Sequence, residues 1–256
     1  MKIISFDLSG KFAHFRKYFS NSTALSYTIP PRTVITGILA AVMGYEKDSY
    51  YDALSRKNLK IAVGVLSPLK KSVHRVNNLM IKSRSLGDFM GEKHHTQSPI
   101  EIITPDNLIS GNIVYRIYFL SEDIDFRDSL IDKLSKKESV FNISFGAAQF
   151  FASISNTNIY YDSDIEENYC ENELISFNSA VYADNVKSIV FDTNETWKYN
   201  FIEEDLLPMD FLNKSRELES MEHLLYTTDN FPLKVKFSGN FYKLNKNNQN
   251  WFIQFL

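Results

Sequence analysis

The sequence predicts an α+β fold. Three observations carry that prediction: strand-length apolar runs recur along the chain, two segments with one apolar helical face lie between them, and glycines and polar clusters punctuate the pieces. "KIISFDL" (2–8) reads as the first strand, ended by Gly10. "PRTVITGILAAVMG" then reads as a helix from about Pro31 to Met43, because proline is tolerated in a first helical turn, where its missing N–H has no partner to lose. Val34, Ile35, Ile38, Leu39 and Val42 fall on one broad face of that helix and should pack on a sheet. Gly37 costs the helix about 1 kcal/mol relative to Ala, so its place there points to a close approach of the helix backbone to a sheet or a ligand. Gly44 is placed to cap the C-terminus. Asp48 is expected to cap a short helix, "SYYDALSRK", before the buried strand "LKIAVGVL" (59–66).

A long insert follows, about 68–112. Its arms "SVHRVNNLMIKSRSL" and "HHTQSPIEIIT" flank "GDFMGEK", which predicts an extended β-hairpin. "NIVYRIYFL" (112–120) returns as a strand, "DFRDSLIDKLSKK" as an amphipathic helix, and "SVFNISF" and "QFFASI" as further strands around Gly146. With the hairpin set aside, the order is βαββαβ, the ferredoxin-like arrangement shared by RNA-recognition motifs. Residues 1–154 are therefore expected as one ferredoxin-like domain. Residues 155–173 are expected as an acidic, polar linker, and 174–256 as a smaller, mostly β lobe interrupted by a short helix around 213–225.

Charge is divided unevenly. The chain carries a net −3, yet residues 1–120 hold sixteen Lys and Arg against eight Asp and Glu, and the remainder holds twelve against twenty-three. Such asymmetry suggests a polyanion partner for the first half. Three features point to RNA. The helix start at Pro31–Arg32–Thr33 offers N–H groups, a positive dipole end and a cation to a phosphate. The loop "KFAHFRKYF" alternates aromatics with Lys11, His14, Arg16 and Lys17, residue types that stack bases and hold phosphates; core packing is the plainer reading of Phe12 and Phe15. The hairpin carries Arg75, Lys82, Arg84, Lys93, His94, His95 and Gln97 with few acids. The RNA-recognition-motif signature itself is missing, so RNA is not expected to lie across the sheet.

Other chemistries find less support. The five histidines show no zinc spacing, and Cys170 is the only cysteine, which excludes an internal disulfide and fits a reducing cytoplasm. No nucleophile elbow, phosphate-binding loop or dinucleotide fingerprint occurs. The longest apolar run, "VITGILAAVMGY", is too short to span a bilayer, and the N-terminus does not read as a signal peptide. No cofactor is expected. "EKHH" (92–95) leaves metal-independent acid–base chemistry open, with phosphate and base contacts as the plainer reading.

"FDLSGKFAHFRK", "SYTIPPRTVITGILAAVMG", "HTQSPIEIITP" and "YRIYFL", in this order, resemble the CRISPR-associated family numbered five, of the RAMP superfamily, and its type I-B members in particular. The resemblance covers residues 1 to about 154 well and the last hundred loosely. It implies a hairpin "thumb" and a non-catalytic subunit of the Cascade surveillance complex, which grips the repeat-derived 5′ handle of the guide RNA. Its implied partners are the backbone, large and small subunits and target DNA beside the protospacer-adjacent motif. On this chain, Gly10, Arg16 and the Pro31–Arg32–Thr33 helix start would face the handle. Lys82, Arg84, His94, His95 and Gln97 would wedge against RNA and the backbone subunit. A type I-C branch of the family cleaves the guide precursor with a Tyr, a Lys and a His. Those positions fall here at Met43 and near Phe126–Arg127, so cleavage is not implied; Tyr45, Lys93 and His94 are the substitutes an endoribonuclease reading would need.

Overall fold

The computed structural model describes residues 1–20, 23–82, 85–92, 95–191, 194, 196–212 and 216–256. In chain order its strands and α-helices are β1 (Ile3–Gly10), β2 (Phe15–Arg16), β3 (Ser26–Tyr27), α1 (Arg32–Met43), β4 (Leu59–Val65), β5 (Leu69–Leu79), α2 (Leu86–Phe89), β6 (His95–Pro105), β7 (Ile113–Ser121), α3 (Ile124–Lys136) and β8 (Ala152–Tyr160). The second half adds β9 (Ile165–Phe177), β10 (Val181–Tyr182), β11 (Val186–Ile189), β12 (Ile202–Phe211), β13 (Leu218–Thr227), β14 (Leu233–Lys246) and β15 (Gln249–Ile253).

β4, β7, β1 and β8 form one antiparallel sheet in that order. Together with α1 and α3 this is the βαββαβ ferredoxin-like arrangement that the sequence predicts. Alternation along β1 divides the sheet's two faces. Ile4, Phe6 and Leu8 join Ile35, Leu39 and Leu130 of the helices in the main core. Ile3 lies on the other face with Ala62 and Tyr118, and there Tyr242, Leu244 and Ile253 from β14 and β15 cover it. Asp7 on that face is 2% exposed, and its carboxylate accepts two hydrogen bonds from Arg116, at 2.7 and 3.0 Å. Trp251 stacks under the same guanidinium at 5.0 Å. The face that RNA-recognition motifs offer to RNA is thus filled by the chain's own C-terminal strands.

α1 begins at Arg32 with Pro31 as its N-cap, and ends on Gly44 in the left-handed conformation, whose N–H donates to Ala40 O. β5 and β6 pair without a break from Leu69↔Pro105 to Leu79↔His95, giving the expected long hairpin, with the single turn of α2 at its tip.

Four expectations are corrected. Residues 49–57 form turns rather than a helix; Asp48 takes a positive φ of 62° and its carboxylate accepts the Tyr51 hydroxyl instead of capping backbone N–H groups. Of "SVFNISF", only an isolated bridge between Ser144 and Phe151 is strand-like. The acidic stretch 155–173 is no linker but the end of β8, one helical turn at 162–164 and most of β9. Its polarity arises because β9 buries few side chains and spends its acids across the ladder: Lys243 donates to Glu166 at 3.0 Å and Tyr242 to Glu167 at 2.7 Å. The described part of 213–225 is extended, because β13 pairs with β12 along its length.

Residues of 174–256 also enter the main core. Leu207, Met209, Leu224, Tyr226 and Leu256 pack with β1, α1 and β7. A second cluster, including Phe177, Phe237 and Phe241, lies between β9 and β14. Among the described residues no helix is long and apolar enough to cross a membrane.

Candidate nucleic-acid interface

The loop after β1 is built onto the base of the hairpin. Ala13 and Ile103 exchange backbone hydrogen bonds at 3.0 and 2.8 Å, and the Glu101 N–H donates to Ala24 O at 2.9 Å. The Glu101 carboxylate accepts from the Ser26 N–H at 2.8 Å. His14 is 8% exposed, and its Nδ1–H donates to Glu101 O at 2.7 Å. Gly146 closes the other side: with φ of +83° it lies so near that a Cβ there would stand 2.0 Å from His14 O. His14 therefore fastens the loop to the hairpin and does not face outward, a correction to its place among the RNA contacts.

Arg32 is corrected more strongly. Its side chain is wholly buried and ion-paired with Asp210 of β12. Its guanidinium also donates to Leu59 O at 2.6 Å and Leu54 O at 2.9 Å. Burial pushes Arg32 down to about 10 and Asp210 up, each toward its neutral form, as expected for charges taken out of water. The residue ties α1 to the segment before β4 and to β12, and no phosphate can reach it. Lys17 is likewise paired, with Asp205 of the same strand, and lies over the Tyr27 ring at 5.2 Å. Gly10 is a packing position: a Cβ there would meet Phe151 O at 2.8 Å and Phe145 Cε2 at 2.9 Å. Pro31 is buried and Thr33 half-buried. Phe15 belongs to the core, as the plainer reading has it, whereas Phe12 is 40% exposed against Phe150.

What remains exposed gathers in two places. Arg16 is exposed, donates to Ser20 O at 3.1 Å, and stands at the edge of a cleft of about 340 Å³ over the N-terminal half of α1. Pro31, Thr33 and Gly37 line its floor. Among the described residues no side chain caps this helix start. The second place is the hairpin. Its register pairs Arg75 with Pro99, Asn77 with Gln97 and Leu79 with His95, which sets Arg75, Gln97 and His95 on one face. Glu101, which holds the loop, pairs with Val73 on that same face. The two places are thus joined through one ribbon face. Lys82 is exposed near the tip. Arg84, Lys93 and His94 lie outside the described residues.

Sequence reasoning missed the partners supplied from far along the chain: Glu101, Asp205, Asp210, and the cleft's Tyr50, Phe211 and Arg216. The one usable signal is the acidic strand "IEEDLLPMDF", whose Leu207 and Met209 are core residues and whose carboxylates meet the cations of the first half. Among the described residues no group of three His, Cys, Asp or Glu could hold a metal ion.

Residues 3–101 match the family model described as CRISPR-associated protein (Cas_Cas5). No curated protein matches the chain in sequence. Among solved structures it is similar to a "CRISPR protein from Archaeoglobus fulgidus", with a TM-score of 0.57 and 12% identity over 99% of this chain and 100% of that one. It also aligns with a chain of a "CRISPR RNA-guided surveillance complex" (TM-score 0.47, 15% identity, 90% of each chain). A chain of the Type III-B Cmr-beta complex bound to cognate target RNA and AMPPnP gives a TM-score of 0.48 at 12% identity, over 91% of this chain and 86% of that one. The fold is mixed α/β with a ferredoxin-like sheet.

Proposed function

We propose that this chain is a CRISPR-associated RAMP protein acting as a non-catalytic RNA-binding subunit of a surveillance complex. It holds the repeat-derived 5′ handle of the guide RNA and joins the backbone and large subunits near target DNA, in the manner of type I-B systems. The observation that carries this reading is the continuity of the Arg16 cleft with the hairpin face bearing Arg75, Gln97 and His95, within a chain whose residues 3–101 match the family model. Cations beside aromatic rings suit single-stranded RNA. The hairpin tip exposes Leu86, Phe89 and Met90 at 70%, 56% and 66%, and apolar surface of that kind suits a protein partner.

Cleavage is disfavoured by chemistry rather than by distance. Tyr45, beside the position of the cleaving branch's Tyr, stacks on Phe126 with ring centroids 6.4 Å apart. The fold therefore brings those two segments together, but with a ring and with Arg127, itself 3.1 Å from Asp128, in place of a Lys–His pair. Burial and Asp123 push the Tyr45 hydroxyl up, which makes it a poor base at neutral pH. Incubating the purified protein with labelled repeat RNA, with and without EDTA, tests the reading: the RNA should be bound and left whole. A single cut in EDTA that His94→Ala abolishes would establish the endoribonuclease instead.

A further inference from the structure

We propose that the cleft over α1 is a pocket for one unpaired RNA base, completed by Phe211 and Arg216 from the acidic half of the chain. The inference rests on the RNA-binding reading and goes further by naming where a base enters and what holds it.

The lining is selective in charge. The chain carries 31 Asp and Glu, yet among the described residues none of them lines this cleft, while two arginines do, Arg16 and Arg216. Arg216 comes from the strongly acidic second half, so its presence here is not a by-product of the basic first half. Its guanidinium lies 6.0 Å from the Phe211 ring centroid. Burial pushes the Tyr50 and Tyr51 hydroxyls up, and the Arg216 charge works against that rise. Aromatic rings orient this cation at the cleft, and its N–H fork suits a phosphate.

The floor is shaped for a flat group. Gly37 sits inside α1, where Ala would serve the helix better. A Cβ at 37 would stand 3.2 Å from the Tyr50 hydroxyl oxygen. Glycine at 37 lets the Tyr50 hydroxyl come close to the α1 backbone where both line the cleft, and Phe211 closes toward Tyr50 through Tyr51, with ring centroids of Tyr51 and Phe211 5.5 Å apart. Tyr18, 67% exposed, stands at the rim. A planar base has a π-face for these rings whatever its identity, and its flanking phosphates would meet Arg16 on one side and Arg216 on the other. A free apolar ligand would bring no anion to either arginine.

The test uses the full-length protein and fluorescent repeat RNA in which each handle position in turn is made abasic. At one position the abasic RNA should bind about tenfold more weakly than intact RNA, within the range for loss of one stacked base. Gly37→Leu, which pushes a side chain against Tyr50 and into the cleft, should weaken intact RNA about as much and bind intact and abasic RNA alike. Arg216→Gln, on the exposed rim, should weaken binding without shifting the unfolding midpoint, so the pocket remains testable if Gly37→Leu misfolds. Uniform binding by every abasic RNA overturns the pocket, as does Gly37→Leu keeping the sensitive position; in both cases RNA binding itself survives. No binding of intact RNA at all would instead remove the RNA reading.

Discussion

The two long hairpins, β5–β6 and β12–β13, are alike in form and opposite in use. Each is an antiparallel ladder of ten or so residues per strand. β12–β13 drives Leu207, Met209, Leu224 and Tyr226 into the main core. From β5 only Leu69 reaches that core, and beyond its base the β5–β6 hairpin stands in solvent. Their charges divide in the same way. β12 presents Glu203, Asp205 and Asp210 to Lys71, Lys17 and Arg32 of the first half. The exposed hairpin keeps Arg75, His95 and Lys82 on the surface. The cations that β12 reaches are thus structural, whereas Arg75, His95 and Lys82 are left available to a polyanion. The charge asymmetry of the sequence counts both kinds together.

The largest effect should come from breaking the buried side of that comparison. Arg32→Ala leaves Asp210 as an uncompensated, largely buried charge and should cost about 3–5 kcal/mol of unfolding free energy. Arg32→Met with Asp210→Leu removes both charges and should recover most of that loss, since burial disfavours the charged form of each partner. Chemical denaturation of the two variants reads this directly. Wild-type stability in Arg32→Ala, with a loss confined to RNA affinity, would return Arg32 to the RNA surface.

Lys17→Ala should act in the same direction and more weakly, by about 1–3 kcal/mol, because it leaves the part-buried Asp205 without its partner. The effect should shrink when Asp205→Asn is added. If Lys17→Ala leaves stability unchanged and flattens the salt dependence of RNA binding, then Lys17 serves RNA and β12 is only its resting partner.

These first two variants mark the limit of what the sequence makes legible. Elements with a strong local period are readable: β1, α1 with its proline start and Gly44 cap, the hairpin arms, β7 and α3. Their order is enough for the ferredoxin-like arrangement. β9 and β13 are not readable, since their polar faces make sense only once β14 and β12 lie beside them. The site shows the same division. Arg16 and Arg75 can be singled out from residue type and context, and the structure leaves them exposed. Arg32 can be singled out too, but its destination is Asp210, 178 residues away along the chain. A cation's partner at that separation leaves no periodic trace, so helix-start chemistry alone sends Arg32 to a phosphate. Gly37 is the opposite case: the cost of a mid-helix glycine marks a close approach, and the Tyr50 hydroxyl makes it at the cleft.

The smallest effect on the fold, and the sharpest on binding, should come from Arg75→Ala. Arg75 stands on the solvent side of the comparison, exposed on β5 opposite Pro99. Removing it breaks no buried ion pair and opens no cavity, so the unfolding midpoint should not move. If its guanidinium meets one phosphate, the plot of log affinity against log salt should lose about one unit of slope, because one fewer counterion is released on binding. The weakening should be similar for RNAs of different sequence, since a phosphate contact reads none. Arg16→Ala should lower the slope by the same amount, and the double variant by the sum, given that the two lie at separate points along one strand. A slope unchanged by Arg75→Ala, with normal binding of the handle, would mean that the exposed hairpin face turns away from RNA and serves a protein partner alone.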